Sequence, residues 1–335
     1  MEHATSVIST LGTFFGKIAF VCACLTLGFL LRAQSRALSA MKCTAIAVAA
    51  SRSSFKLMTH NLWLHYFVAA PRRAARVRLF LDTLRKESSM PDVVMLQETF
   101  LLRIGPLVLY SYVQMLVEGM RELGYQWWTD PCATLPRFFG QNSGVLIFSR
   151  LPFLGNTYQS VFQASDKVLN NKGLACVRID LGSPGSVLVI GTHLDSRRQA
   201  TKEQQLAQIA ATVRSNASEP VIVTGDLNIT SDRCDSYASL CRILTPLKNA
   251  TEDAHRFRSF RRKPSPGSLF VEQILGPLWR SRWPRNFEPL SLDHVFYSGI
   301  RLKSAELINW SSEQKGVFVP VSDHLGVLVD VTLSN

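Results

Sequence analysis

The sequence predicts an α/β sandwich, and three observations carry the prediction. Short β-branched runs recur along the chain, as at Val221-Ile222-Val223-Thr224. Amphipathic segments with a helical apolar face separate the earlier runs, and the later part is richer in strand-like stretches. Several of the runs end in a carboxylate, a carboxamide or an imidazole, and strand ends are where rigidly held chemistry sits. With 335 residues and 47% hydrophobic content the chain can bury a large core, and it contains no internal repeat.

Residues 7–31 are uncharged except for Lys17, and the uninterrupted apolar run is Ile18 to Leu31. A spanning helix needs roughly 20 apolar residues. A lysine at mid-bilayer costs about 3 kcal/mol, and each Leu, Ile, Phe or Val returns about 0.3–0.6 kcal/mol. Lys17 lies off-centre and can snorkel, so insertion is expected. The same run fits a signal peptide, with Ala37-Leu38-Ser39 or Ala47-Val48-Ala49 as cleavage signals. The expected location is therefore membrane-associated through a single-pass anchor, or secreted after cleavage. Residues 1–54 are expected to form the signal or anchor segment with a linker at Thr44–Ser54, and residues 55–335 a folded domain.

In order, Phe55–Asn61 reads as a first strand ending in a polar cluster. Arg72–Lys86 reads as a helix through Val77, Phe80, Leu81 and Leu84. Asp92–Gln97 is a hydrophobic strand ending at Glu98, and Leu107–Leu123 is a second amphipathic helix. Asn142–Ser149, Gly173–Ile179 and Val187–His193 read as strands, and Arg197–Arg214 as a helix. Val221–Thr224 runs through Gly225 into Asp226-Leu227-Asn228. Residues at i and i+2 of an extended segment point the same way, which directs Asp226 and Asn228 to one site. Leu292-Asp293-His294 and Val321-Ser322-Asp323-His324 complete six polar strand ends with Asn61, Glu98, His193 and the Asp226/Asn228 pair. His60 and His294 flank better candidates and should point to the opposite face of their strands.

This order resembles the endonuclease/exonuclease/phosphatase superfamily, the fold of pancreatic deoxyribonuclease, over roughly Phe55 to Leu333. The resemblance implies a four-layer α/β/β/α sandwich of two mixed β-sheets, here preceded by an N-terminal hydrophobic helix. Thr59-His60-Asn61, Asn171-Lys172-Gly173, Thr192-His193-Leu194-Asp195 and the helix near Gln204-Gln205-Leu206 are similar to neutral sphingomyelinases. The implied activity is metal-dependent phosphodiester hydrolysis, of the phospholipase C type, releasing ceramide and a phosphorylated head group from sphingomyelin or a related phosphosphingolipid. A nuclease acting on DNA or RNA and a phosphoinositide phosphatase are the alternatives.

Such hydrolysis must neutralise phosphoryl oxygens and supply a deprotonated water in line with the leaving group. A hard dication suits carboxylate and carboxamide oxygens, which makes Glu98 and Asn61 the expected ligands, with Asp323 completing the shell. Mg²⁺ is the expected ion, with Mn²⁺ as the alternative. His324 is expected to act as general base, through an ordinary ionisation near 6.5, with Asp293 orienting it. His193 and Asn228 are expected to donate to phosphoryl oxygens, and Asp226 to orient the water or assist the leaving group. Lys172 is expected either to bind phosphate or to be solvated.

The formal charge of +12 suggests an anionic partner without choosing between lipid and nucleic acid. A basic insertion near residues 254–289 interleaves arginines with Phe257, Phe260, Trp279 and Trp283. Through residues 255–285 it would suit an anionic lipid surface or a nucleic-acid backbone. No protein partner is inferable. Seven cysteines show no zinc spacing, and only Cys234 and Cys241, outside the N-terminal segment, are close enough for a local disulfide.

Overall fold

Alternation along the strands divides the core into layers. In β1 (Ser54–Asn61), Leu57 joins one apolar cluster and Met58 another. In β2 (Val93–Gln97), Val93 and Met95 face one way, and Val94 and Leu96 the other. These strands are buried on both faces and so read as unbroken apolar runs.

The computed structural model describes residues 25–39, 51–67, 70, 72–164, 171–183, 185–232, 234–253, 255–260, 289–314 and 317–334. The remaining elements are helices α1 (residues 25–39), α2 (Arg73–Lys86), α3 (Ser111–Glu122), α4 (Gln199–Ser215) and α5 (Cys234–Ile243). The strands after β2 are β3 (Leu102–Ile104), β4 (Leu107–Leu109), β5 (Trp127–Trp128), β6 (Phe139–Gln141), β7 (Leu146–Ser149), β8 (Tyr158–Val161) and β9 (Gly173–Asp180). Then come β10 (Ser186–His193), β11 (Val221–Asp226), β12 (Lys248–Asn249), β13 (Asp293–Ser298), β14 (Ile300–Ile308), β15 (Ser311–Gln314), β16 (Val317–Pro320) and β17 (Gly326–Leu333).

Two mixed sheets have strand orders β14-β17-β1-β2-β7-β5 and β12-β13-β11-β10-β9-β8. Their inner faces share one cluster that includes Leu57, Met95 and Val329 from the first sheet and Val177, Val189 and Ile222 from the second. Helices α2 and α3 cover the first sheet through Phe80, Leu84, Val113 and Leu116. Helices α4 and α5 cover the second through Leu206, Ile209 and Leu240. This is the predicted α/β/β/α sandwich.

Three local expectations are corrected. The helix predicted over Leu107–Leu123 starts at Ser111. Gly105, at φ +57, turns the chain so that Leu107–Leu109 pairs with β3 instead. The strand predicted over Asn142–Ser149 begins at Leu146, and Cys241 is a free thiol, so the local disulfide does not form.

Among the described residues no helix is long and apolar enough to cross a membrane. Most of the predicted span at 7–31 lies outside those residues, as do most of the linker and residues 261–288 of the basic insertion. Helix α1 is tied to the domain by Gln34, which donates to the Pro106 carbonyl (3.0 Å) and accepts from the Val108 amide (2.7 Å).

The parallel pairs β1/β2 and β10/β11 bring Asn61 opposite Gln97 and His193 opposite Asp226. Gly225 permits this ending: it sits at φ +143, where a Cβ would lie 1.9 Å from the Thr192 carbonyl oxygen. Gly225→Ala should therefore destabilise the fold by about 3 kcal/mol or more, read as a lowered urea midpoint. An unchanged midpoint would mean that β11 can leave β10 without cost.

Candidate active site

Five strand ends and two loops converge on a buried polar cluster. Asp226 closes β11 and is almost fully buried. Its Oδ2 accepts from Asn61 Nδ2 at 3.0 Å and lies 3.5 Å from His193 Nε2 and 3.7 Å from His324 Nε2. Burial pushes its carboxyl up to about 6, against the opposing pull of the His324 charge.

Asp293 opens β13, antiparallel to β11, in register with Asp226. Its Oδ2 meets His324 Nδ1 at 2.7 Å and accepts from Ser259 Oγ at 2.6 Å. Burial opposes its ionisation, yet the His324 charge and these hydrogen bonds hold its pKa below the ordinary value. For His324, burial also opposes charge, but Asp293 and Asp226 outweigh it and raise the imidazole to about 10. The carboxylates beside both ring nitrogens therefore favour the imidazolium form of His324. Phe260 covers its ring at 4.8 Å between centroids.

Lys172, just before β9, is buried rather than solvated, and its Nζ donates to His193 Nε2 at 2.8 Å. Burial lowers the Lys172 ammonium to about 8, while Glu98, Asp226 and Asp195 oppose the shift. Burial, then Lys172, hold His193 neutral. With Nε2 accepting, its hydrogen is on Nδ1, a buried atom with no hydrogen-bond partner among the described residues.

Asn228 reaches the cluster by a route other than strand alternation. It turns at φ +52, its amide N–H caps Asp226 Oδ1 at 3.0 Å, and its Nδ2 donates to the Leu194 carbonyl at 3.1 Å. Lys202 fixes the turn by donating to the Asn228 carbonyl at 2.6 Å. His60 and His294 point away from the cluster: His60 packs against Phe80 and Trp310, and His294 bonds the Ile229 carbonyl.

Glu98 follows β2 in a left-handed conformation, φ +56, a strained backbone at the site. Asn61 Nδ2 approaches its Oε1 at 3.4 Å, and its Oε2 is buried with no hydrogen-bond partner among the described residues. Burial raises the Glu98 carboxyl to about 7; Lys172 lowers it and Asp323 raises it. Asp323, beside His324, is half-buried and accepts from Ser322 Oγ at 3.2 Å.

Residues 58–324 match the Endonuclease/Exonuclease/phosphatase family. The chain belongs to this family. Its fold is similar to sphingomyelinase C from Streptomyces griseocarneus, at 20% identity and a TM-score of 0.59, covering 83% of this chain and 99% of that one. A beta toxin variant from Staphylococcus aureus with bound magnesium ions is similar at 18% identity and a TM-score of 0.60, covering 84% and 100%. D. rerio TDP2 complexed with single-strand DNA product is similar at 17% identity and a TM-score of 0.58, covering 84% and 100%. No curated protein matches the sequence. The activities in the family's name share hydrolysis of phosphate esters.

The orphaned Glu98 oxygen fits a hard dication. Asn61 departs from its expected ligand role: its Nδ2 faces Glu98 and Asp226, and its Oδ1 accepts from the Trp63 amide at 3.0 Å. Asp226, Asp293 and His324 also bring ligand atoms within 4.8 Å of one another. There, however, Asp293 Oδ2 is already engaged by His324 Nδ1 and Ser259 Oγ, whereas the Glu98 Oε2 has no hydrogen-bond partner among the described residues.

Protonated Glu98 cannot ligate a cation, so affinity should rise as pH climbs through about 7, with a proton released on binding. Mn²⁺ titrations followed by electron paramagnetic resonance should show tighter binding at pH 8 than at pH 6, and Glu98→Gln should weaken binding and remove most of that difference. A pH-independent affinity in the unsubstituted protein would take Glu98 out of the metal site.

Proposed function

We propose that the protein is a divalent-metal-dependent phosphodiesterase of the phospholipase C type, cleaving sphingomyelin or a related phosphosphingolipid. The observation that carries this reading is Lys172. It belongs to the sphingomyelinase-like Asn171-Lys172-Gly173 stretch, and it is a buried ammonium against His193 rather than a surface charge. A buried cation beside a neutral imidazole suits two anionic phosphoryl oxygens.

In the reaction a water oxygen bonds to phosphorus as the bond from phosphorus to the ceramide oxygen breaks; the water gives up a proton to the His324–Asp226 pair, and the departing ceramide oxygen takes a proton from the same pair, leaving ceramide and the phosphorylated head group. His324 and Asp226 act as a couple for these protons, because Nδ1 is committed to Asp293 and Nε2 faces Asp226. His324 serves as base in its neutral form, with Nδ1–H held by Asp293 and Nε2 turned toward Asp226. Lys172 and His193 hold the phosphate, and Asn228 fixes the carboxylate through its amide. A magnesium ion held by Glu98, with Asp323 nearby, would supply Lewis-acid polarisation of the phosphate oxygens.

The nuclease alternative draws on the +12 charge. Purified full-length protein with Mg²⁺ should release phosphocholine from sphingomyelin in mixed detergent micelles and leave supercoiled plasmid intact. Nicking without phosphocholine release would favour the nuclease instead. His324→Ala should lower kcat about 10²–10⁴-fold with an unchanged circular-dichroism spectrum. Near-normal turnover would assign the base elsewhere.

A further inference from the structure

Apolar side chains left in solvent among the described residues are concentrated on one side of the molecule. Apart from Leu154 and Tyr158, the large exposed ones belong either to α1 or to a surface made by Phe67, Ile104, Leu107, Leu109, Phe138 and Phe139. That surface is continuous. Strand β3 pairs with both β4 and β6, putting Ile104 opposite Leu107 and Phe139. The Gly105 amide donates to the Phe138 carbonyl at 2.8 Å, and the Phe67 and Phe139 rings are 5.8 Å apart. In β4, Val108 turns into the core while Leu107 and Leu109 face outward. Phe138 is 74% exposed. An apolar patch of this kind usually marks an interaction site.

Three features of the surface indicate what covers it. Gln34 fastens α1 to the turn between β3 and β4, so the exposed Leu25 and Phe29 of α1 belong to an element joined to the patch. Helix α1 itself contains the end of the apolar run Ile18–Leu31. Second, the contributing segments, residues 25–39, 62–67, 101–109 and 136–141, contain no Asp or Glu, and Arg32, Arg36 and Arg137 are exposed on them. Apolar side chains on acid-free segments that carry exposed arginines match acyl chains beneath anionic head groups. Third, β6 runs from Phe139 to Gln141, whose carbonyl accepts from the Asn171 amide at 3.1 Å, next to Lys172. The patch therefore leads to the polar cluster around Asp226.

We propose that the β3–β4 hairpin, the Phe138-Phe139 stretch and Phe67 form a docking face for an anionic phospholipid bilayer, linked through β6 to the segment that carries Lys172. The lipid-substrate reading is needed only for what the docked enzyme would cleave. The face is distinct from the basic insertion that the sequence suggested for this role.

The test is sedimentation of the full-length protein with sphingolipid-free vesicles of phosphatidylcholine, with and without phosphatidylserine. Phosphatidylserine should strengthen binding. The double substitution Leu107→Asp with Phe138→Asp should lower vesicle partitioning at least about tenfold. Mg²⁺-dependent hydrolysis of soluble bis(p-nitrophenyl) phosphate should be unchanged, which also verifies that the variant is folded. Phe138→Trp should keep binding and gain a blue-shifted emission with vesicles, beyond any change in the unsubstituted protein. Unchanged partitioning of the Asp variant, or no added emission shift, would overturn the docking face. So would a wild-type dimer in lipid-free solution that the Asp substitutions convert to monomer, which would assign the face to a second copy. Wild-type protein that binds through this face but leaves sphingomyelin vesicles intact would lose the substrate reading and retain the docking face.

Discussion

The hydrogen bond from Asn61 Nδ2 to Asp226 Oδ2, 3.0 Å long, joins the two sheets at their functional edge. A carboxylate this deeply buried costs several kcal/mol unless it is compensated. Asp226 has that compensation from several directions: the Asn61 carboxamide, the Asn228 amide, and the nearby charges of His324 and Lys172. Asn61 comes from β1 and Asp226 from β11, so the compensation exists only when both sheets hold their register. A slip of one residue would turn either side chain to the opposite face of its strand. The core between the sheets and the site at their edge are therefore mutually dependent.

Most of the sandwich could be read from the sequence because its strands announce themselves twice, by β-branched runs and by polar residues at their ends. Asn61, Glu98, His193, Asp226, Asp293 and His324 were all legible that way. The parts that were not legible depend on contacts distant in sequence. Nothing local distinguishes the buried Lys172 from a solvated lysine. Ser259 and Phe260 lie in an arginine-rich stretch that reads as surface, yet they support Asp293 and His324 directly. The β3–β4 hairpin was hidden inside an apparent helical periodicity, because short apolar runs fit either period. Asn228 shows the limit of alternation: the i, i+2 rule ends where the backbone turns to φ +52.

Arg76 illustrates a further kind of residue that sequence reasoning passes over. It lies on α2 and is buried, and burial lowers its guanidinium to about 10, with the Asp323 charge opposing that shift. It donates to the carbonyls of Leu62 (2.6 Å), Trp63 (2.6 Å) and Val321 (3.1 Å). One planar fork thus ties the loop after Asn61 to the segment before His324. In the sequence, Arg76 is one arginine among several on an amphipathic helix. Its role becomes visible only once the two loops are seen to meet over it.

The whole-chain charge and the charge of the site point in different directions. The cluster gathers Glu98, Asp226, Asp293 and Asp323 around Lys172 and His324, so its groups are not the source of the +12. A dication at Glu98 would offset that local acidity, and a phosphodiester could then be admitted with less repulsion from the carboxylates. The surplus of arginine instead lies partly on the acid-free segments of the apolar face. There it can act on a whole anionic surface, at distances up to about a Debye length, roughly 8–10 Å in physiological salt. Net charge therefore bears on how the protein approaches its partner, while the buried groups around Asp226 determine what it can hydrolyse.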